Sequence, residues 1–279
     1  MKSDGPMVTS LSSKRVHSAE LSILRLSRGG DLNASPRRIV LLHGAGIPGD
    51  LTWRWIAQYL IGWDEIFIPD LPAMGRSKWI GSKTPGFSDY QSVLCEWVAS
   101  EGWEDYDLAG YSFGGLLAMH MANSHPPGRL ALIEPASLLS VSVGDLHSRA
   151  RAYHELSLQL HESSEKAVVR FLDLVSPRRN RALDALAVKR LRENVEGLAL
   201  GVGAVAQALS EHGDWYCTWE PPTKGVSIVG GLSDLGMHRR HQTLAENDES
   251  WFFQSLENTD HGLIYTKPRE IAKIINSLL

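Results

Sequence analysis

Residues 107–115 read DLAGYSFGG, a short apolar run that ends in the pattern Gly-x-Ser-x-Gly. An Ala/Leu/Met-rich segment follows at residues 116–122. This order predicts a strand, a sharp turn and a helix, because Gly110 and Gly114 are small enough to flank so tight a turn. Ser112 would then stand at the apex, beside the unpaired N–H groups that begin the helix. An exposed hydroxyl next to a ready anion site is the arrangement that acyl transfer requires.

The composition is typical of a soluble globular protein. Of the 279 residues, 43% are hydrophobic and 22% are charged, and the net charge of -4 gives no electrostatic footprint for nucleic acid or an anionic membrane. No uncharged run approaches the ~18–20 residues that a membrane-spanning helix needs. The first residues, MKSDGP, lack the apolar core of a secretory signal, so a cytoplasmic protein is expected. Cys95 and Cys217 lack metal-ligand spacing and are expected to be free thiols in a reducing compartment.

Short apolar runs alternate with amphipathic segments along most of the chain. Each run is too short for a helix and is typical of a strand buried on both faces, so the repeated βα units predict a parallel sheet flanked by helices. The predicted strands are residues 39–42, 65–70, 107–111, 129–133, 225–230 and 250–256, and the predicted helices are residues 51–61, 87–100, 116–122, 238–245 and 267–279. Residues 16–27 are expected to form one or two edge strands before a turn at residues 28–31, and residues 1–15 a tail or lead-in.

The rhythm of strand and helix is interrupted once, by an insertion at residues 137–213. No strand-like run is found there; the predicted helices are residues 145–161, 165–175 and 182–209, the last with a weak point at residues 197–203. We therefore expect a core made of residues 1–136 and 214–279, with residues 137–213 as a helical cap. A lid over the carboxyl edge of the sheet would exclude water and shape a substrate pocket.

Three predicted loops that open at this edge carry the residue types of a nucleophilic triad. A serine hydroxyl needs an imidazole to take its proton, and the imidazole needs a carboxylate to fix its tautomer. Ser112 is the candidate nucleophile, and His261 is the candidate base because it follows the last strand in an Asp-His-Gly turn. Loop length and chain order favour Asp234 as the acid. Glu134, at the end of the preceding strand, is the alternative acid.

A second glycine-rich turn, HGAG at residues 43–46, follows the strand at residues 39–42. The backbone N–H of Ala45 is expected to donate to a developing oxyanion together with the N–H of Phe113, although a simple strand-to-helix turn would use the same glycines. His43 is interpreted as structural and Asp70 as a capping or loop-fixing carboxylate. Three aromatic residues just after the insertion either line the pocket or pack the cap on the core: Trp215, Tyr216 and Trp219.

Four blocks of sequence together resemble the α/β-hydrolase fold superfamily, and specifically its serine hydrolases with a helical cap. They are HGAG at residues 43–46, PDLPAMGRS at residues 69–77, GYSFGG at residues 110–115 and DHG at residues 260–262. The resemblance covers residues 39–279 and implies an α/β fold with a mostly parallel sheet, flanking helices and an inserted cap. It also implies no metal and no organic cofactor. Ala73 and Met74 depart from the family's usual loop residues, which are Gly and His or Tyr.

The resemblance leaves several reactions open, since the same fold supports many. A serine at position 112 argues against dehalogenases and epoxide hydrolases, which need a carboxylate there. We expect hydrolysis of a carboxylic ester or thioester of a small, hydrophobic molecule through an acyl-enzyme on Ser112. The alternatives are a carbon–carbon bond hydrolase, a lyase or cyclase using the same pocket, or a non-hydrolytic protein that binds a small ligand. A homodimer is left open.

Overall fold

One twisted sheet organises the residues of the computed structural model, which describes residues 7–28, 35–162 and 164–279. The turn predicted at residues 28–31 lies almost wholly outside these residues, as does the start of the predicted tail. The strands are β1 (Val8–Val16), β2 (Ala19–Ser27), β3 (Arg38–Leu42), β4 (Glu65–Pro69), β5 (Lys78–Trp79), β6 (Asp107–Tyr111), β7 (Leu130–Ile133), β8 (Gly225–Gly230) and β9 (Trp251–Leu256).

The sheet is mostly parallel. Its strand order is β1-β2-β4-β3-β6-β7-β8-β9, and the short β5 pairs with β2. The strands from β4 to β9 along this order run parallel to one another, whereas β1 and β2 are antiparallel additions at one edge. Parallel neighbours need crossover connections, and here these are helices that cover both faces.

The helices are α1 (Gly49–Ala57), α2 (Phe87–Ser100), α3 (Phe113–Ser124), α4 (Val143–His161), α5 (Glu165–Val175), α6 (Asp184–Arg192), α7 (Val195–Thr218), α8 (Leu235–Asn247), α9 (Leu263–Thr266) and α10 (Pro268–Asn276). On one face, α1, α9 and α10 bury apolar side chains against the sheet. On the other face, α2 and α3 do so, and α4 to α7 continue the same apolar cluster. No helix of the described residues is long and apolar enough to cross a bilayer.

Most predicted elements are present, with two informative differences. Part of the predicted tail is strand β1, which pairs with β2 along its whole length. The weak point predicted at residues 197–203 is wrong, since the helix is interrupted between α6 and α7, at residues 193–194. The glycines of α7 serve close packing instead: a Cβ at Gly201 would lie 2.7 Å from the Cβ of Ala45, and one at Gly197 would lie 2.9 Å from the carbonyl oxygen of Ala73.

The turn between β6 and α3 brings two pieces of backbone into close contact. A Cβ on Gly110 would overlap with the carbonyl oxygen of Gly114, and one on Gly114 would overlap with the carbonyl oxygens of Leu42 and His43. These neighbours are backbone atoms, which cannot move aside as the end of a flexible side chain can. Both positions therefore require glycine, and the first turn of α3 is pressed against the end of β3.

We expect Gly114→Ala to destabilise the protein, because the added methyl group forces β3 and α3 apart. Overpacking of this kind costs typically 1–3 kcal/mol, and the free energy of unfolding in urea should fall by about that amount. Gly144→Ala in α4 is the matched control, since its Cβ would meet only the Ser142 hydroxyl oxygen, at 3.7 Å. Equal urea midpoints for Gly114→Ala and wild type would contradict the close contact.

His241 is a buried histidine that stays neutral in the native state. Its ring lies on α8, stacks on Phe253 with centroids 6.1 Å apart, and has no hydrogen-bond partner at either nitrogen among the described residues. Burial lowers the pKa of His241 to about 3, and the charge of Arg240 acts in the same direction. In the unfolded chain the ring takes up a proton near its ordinary pKa of ~6.5. Stability is therefore lost as the pH falls from 6.5 towards 3.

We expect His241→Leu to flatten this pH dependence. Between pH 7 and pH 5 the free energy of unfolding of wild type should fall by ~2 kcal/mol more than that of the variant, at 1.36 kcal/mol per pH unit below 6.5. Urea unfolding at each pH measures the difference. His154→Leu, at an exposed position of α4, is the control and should retain the slope of wild type. A wild-type slope in His241→Leu would show that this ring is protonated in the native state.

Candidate active site

Ser112 lies at the apex of the turn between β6 and α3, in a strained backbone conformation. Its φ is 55° and its ψ is -117°, a region that costs a residue with a Cβ on the order of 1–3 kcal/mol. Two hydrogen bonds to the β7 end hold it: the Ser112 N–H donates to the carbonyl of Ile133 (2.9 Å), and the N–H of Ala136 donates to the carbonyl of Ser112 (3.0 Å). The side chain is thereby fixed above the carboxyl edge of the sheet.

His261 connects this hydroxyl to a buried carboxylate. Its Nε2 lies 3.0 Å from Ser112 Oγ, and its Nδ1 lies 3.1 Å from Glu134 Oε2. The His261 loop is held from below by the hydroxyl of Tyr111, which donates to the carbonyl oxygen of His261 (2.8 Å). Three residues that follow β6, β7 and β9 therefore form one hydrogen-bonded line.

Glu134 is placed to accept and not to donate. Its side chain is 1% exposed, and Oε1 accepts hydrogen bonds from the N–H of Gly230 (2.7 Å) and the hydroxyl of Ser233 (2.6 Å). With His261 Nδ1 as the third donor, both oxygens of this side chain serve as hydrogen-bond acceptors. His261 then carries its proton on Nδ1, and the lone pair on Nε2 faces the hydroxyl proton of Ser112. This is the protonation state that a general base needs.

The preference for Asp234 as the acid is corrected by this geometry. Asp234 is exposed and ends up as the N-cap of α8, where its Oδ1 accepts a hydrogen bond from the N–H of Gly236 (2.7 Å). Because α8 starts at the next residue, the carboxylate is used by the helix start, while Glu134 on the neighbouring strand β7 reaches His261. Chain order could not separate them, since Glu134 and Asp234 both lie between Ser112 and His261.

Two backbone N–H groups beside Ser112 have no hydrogen-bond partner in the described part of the chain, those of Ala45 and Phe113. Phe113 is the first residue of α3, where an amide has no partner within the helix. The Ala45 loop lies against Ser112, since a Cβ on Gly44 would be 3.1 Å from the Cβ of Ser112. Both predicted donors are therefore close to the nucleophile and unpaired.

The loop that carries Ala45 is fixed by His43 and Asp70, in the structural roles expected of them. His43 Nδ1 donates to the carbonyl oxygen of Gly44 (2.6 Å), and its Nε2 accepts from the N–H of Leu71 (2.8 Å). The ring is fully buried, and burial lowers the pKa of His43, which keeps it neutral as this bonding requires. Asp70 accepts from the N–H of Gly49 (2.8 Å) and so ties the same region to α1.

Two cavities meet at Ser112. The inner cavity has a volume of about 260 Å³ and reaches under α4, α5 and α7. Its walls are largely apolar and include Phe113, Ala136, Leu139, Phe171, Leu174, Val175, Val202, Val205 and Met237. Arg149, Tyr153 and Asp173 add polar groups to it. At ~30 Å³ per water molecule, this volume corresponds to roughly nine waters, so a small acyl group fits.

The second cavity, here called the outer cleft, has a volume of about 450 Å³ and lies between the His261 loop and the region around α6. Residues of the His261 loop form one wall: Asn258, Thr259, Asp260 and Gly262. Leu186, Arg190 and Leu191 of α6 form part of the other wall. Five residues line both cavities: Ala45, Ser112, Phe171, Val175 and His261. The C-terminal half of α5 therefore borders both.

The three aromatic residues after the insertion pack and line neither cavity. The hydroxyl of Tyr216 lies 2.8 Å from Nε2 of His120 on α3, and the rings of Trp215 and His120 have centroids 4.5 Å apart. Trp219 packs against Trp251 of β9. The described residues contain no group of three or more His, Cys, Asp or Glu side chains that could hold a metal ion.

The sequence and the fold both match known proteins. A model of the alpha/beta hydrolase family matches residues 39–274. The chain is 33% identical over 246 residues to a pimeloyl-[acyl-carrier protein] methyl ester esterase of Cronobacter sakazakii, covering 86% of this chain and 92% of that protein. It is 30% identical over 254 residues to the lipase LipV of Mycobacterium tuberculosis, covering 88% of this chain and 94% of that one.

Solved structures agree on the fold. MGS-M2, an alpha/beta hydrolase enzyme from a Medee basin deep-sea metagenome library, matches with a TM-score of 0.74 at 14% identity, covering 96% of both chains. Identity this low shows a shared fold and no more, and it confirms the predicted fold class. With the family model and the two relatives, it establishes that this chain belongs to the alpha/beta hydrolase family.

Proposed function

We propose that this enzyme hydrolyses carboxylic esters or thioesters of small, largely apolar acyl groups through an acyl-enzyme on Ser112. The observation that carries this function is the hydrogen-bonded line from Glu134 through His261 to Ser112, next to the unpaired N–H groups of Ala45 and Phe113. The names of the relatives, an esterase and a lipase, support ester bonds as the target. The size and apolar walls of the inner cavity support a small acyl group.

In the acylation step, Ser112 Oγ attacks the carbonyl carbon and its proton moves to His261 Nε2. The bond from Oγ to carbon forms, and the carbonyl oxygen takes up negative charge, which the N–H groups of Ala45 and Phe113 stabilise. The carboxylate of Glu134 stabilises the imidazolium. His261 then gives its proton to the leaving oxygen or sulfur as the bond from that atom to the acyl carbon breaks.

Deacylation repeats these steps with water as the nucleophile. Water gives a proton to His261 Nε2 while its oxygen bonds to the acyl carbon, and the same two N–H groups stabilise the second oxyanion. The bond from carbon to Ser112 Oγ breaks, and the proton returns from His261 to the serine. The carboxylic acid leaves, and Ser112 and His261 are back in their starting protonation states.

Residues 137–213 act as the cap, with the core formed by residues 1–136 and 214–279. Helices α5 and α7 supply apolar walls of the inner cavity and α4 adds Arg149 and Tyr153, so that these helices keep bulk water from the acyl group. The boundary at residue 213 falls beside a kink in α7, where His212 has a φ of -123° and a ψ of 17°. A cytoplasmic location fits the free thiols of Cys95 and Cys217, since disulfides form in oxidising compartments.

Ser112→Ala should abolish ester hydrolysis while leaving the fold intact. With 4-nitrophenyl acetate, butyrate and octanoate, we expect kcat/KM of wild type to be highest for the short and medium chains, because the inner cavity is small. Ser112→Ala should lose roughly 10³-fold or more in kcat. Circular dichroism and the urea midpoint serve as folding controls. Wild-type rates in Ser112→Ala would exclude the acyl-enzyme.

A pair of matched variants distinguishes the two candidate acids. Glu134→Gln should slow labelling of Ser112 by a fluorophosphonate, followed by intact mass, by roughly 10³- to 10⁴-fold, because an amide no longer fixes the tautomer of His261. Asp234→Asn should label within about threefold of the wild-type rate, since an asparagine also caps a helix well. Slow labelling of Asp234→Asn together with fast labelling of Glu134→Gln would reverse the assignment.

A further inference from the structure

The two cavities share Ser112 and His261 but differ in their other walls. In an ester or thioester, the leaving atom must lie beside His261 Nε2 when it receives its proton. The loop that carries His261 forms a wall of the outer cleft, from Asn258 to Gly262. The inner cavity instead borders Phe113 and apolar side chains of α7. The acyl group therefore belongs in the inner cavity and the leaving group in the outer cleft.

Three arginines line the outer cleft, and only one has its charge compensated. Arg179 donates to both carboxylate oxygens of Asp184 (2.8 and 2.9 Å) and also pairs with Asp173 (2.8 Å). Arg178 and Arg190 are exposed and make no ion pair within the described residues. The chain as a whole carries a net charge of -4, whereas this cleft carries two arginines without an ion-pair partner.

Two acidic groups line the same cleft, and each has a hydrogen-bond partner. Asp184 is held by Arg179, and Asp260 is 9% exposed and accepts a hydrogen bond from the N–H of Gly262 (2.9 Å). Arg190 on α6 and Tyr265 on α9 both line this cleft. Free guanidinium groups favour a carboxylate or a phosphate, which they bind with paired hydrogen bonds.

We propose that the outer cleft selects leaving groups that carry a negative charge, and that Arg178 and Arg190 are the specificity-determining residues. The inference rests on the proposed ester or thioester hydrolysis. Its substrates are esters or thioesters with an apolar acyl group and an alcohol or thiol that bears a carboxylate or phosphate. The anion is bound away from the reacting bond, so the arginines act on substrate affinity and leave the serine chemistry unchanged.

The test uses two chromogenic esters with the same acyl group, 4-nitrophenyl butyrate and 3-carboxy-4-nitrophenyl butyrate. Each kcat/KM is divided by the rate of hydrolysis by hydroxide, which removes their difference in intrinsic reactivity. Wild type should favour the carboxylated ester, and Arg178→Gln and Arg190→Gln should each lower that preference by about two- to fivefold, mainly through KM. The preference should also weaken as salt is raised, because the arginines are exposed.

Matched variants separate charge from packing. Arg190→Glu should turn the preference towards the neutral ester. Arg151→Gln is the control, because Arg151 is exposed on α4, donates to the Ser148 hydroxyl (3.0 Å) and lines neither cavity. It should leave both rates unchanged.

The outcomes distinguish the two proposals. If wild type hydrolyses neither ester, the proposed function fails. If it hydrolyses both, but their ratio is the same in wild type, Arg178→Gln and Arg190→Gln, the hydrolase stands and charge selection at the outer cleft is overturned. An equal loss on both esters in the arginine variants also overturns it, since that result reports a structural role.

Discussion

The contact between the first turn of α3 and the end of β3 is the constraint on which this molecule depends. With glycine at positions 110 and 114, the helix starts directly against the carbonyl oxygens of Leu42 and His43. This closeness leaves Ser112 no relaxed conformation, so it points out of the sheet at a positive φ. It also directs the free N–H of Phe113 towards the same space as the hydroxyl. The same steric contact therefore positions both the proposed nucleophile and one proposed anion donor.

The sheet order then determines which side chains join them. Strand β7 lies directly beside β6, and its last residue is followed by Glu134, also at a positive φ of 45°. From there the carboxylate is enclosed by β8, which supplies the N–H of Gly230, and by Ser233 in the loop that follows. His261 comes from the far edge, after β9, and is tied back by the hydroxyl of Tyr111. Neighbouring strands therefore provide the buried acid, while the more distant strand provides the base that reaches across.

Much of this could be predicted from the sequence, and the exceptions have physical causes. Apolar runs and glycine spacing predicted the strands around Ser112, because burial on both faces and a tight turn leave direct marks on residue type. The choice of acid could not be predicted in this way, because Asp234 and Glu134 both follow buried strands. Only the side-chain packing around His261 separates them. The carboxylate of Asp234 instead caps the start of the adjacent helix by accepting a hydrogen bond from it. Hydrophobic periodicity does not predict this hydrogen bond. Likewise, glycine in α7 suggested a weak helix, although it marks contact with another loop.

Through that contact the helices between β7 and β8 also pack against the loop of Ala45, in addition to covering the cavity. Gly201 of α7 touches the side chain of Ala45, whose N–H is one of the two proposed anion donors, and no methyl group fits between them. Gly197, one turn earlier, lies against the backbone of Ala73 in the loop that supports the same region. The insertion is therefore not an interchangeable module. A chimaera that exchanged these helices for those of a relative would need small residues at both places, or it would displace the loop of Ala45 while leaving Ser112, His261 and Glu134 untouched.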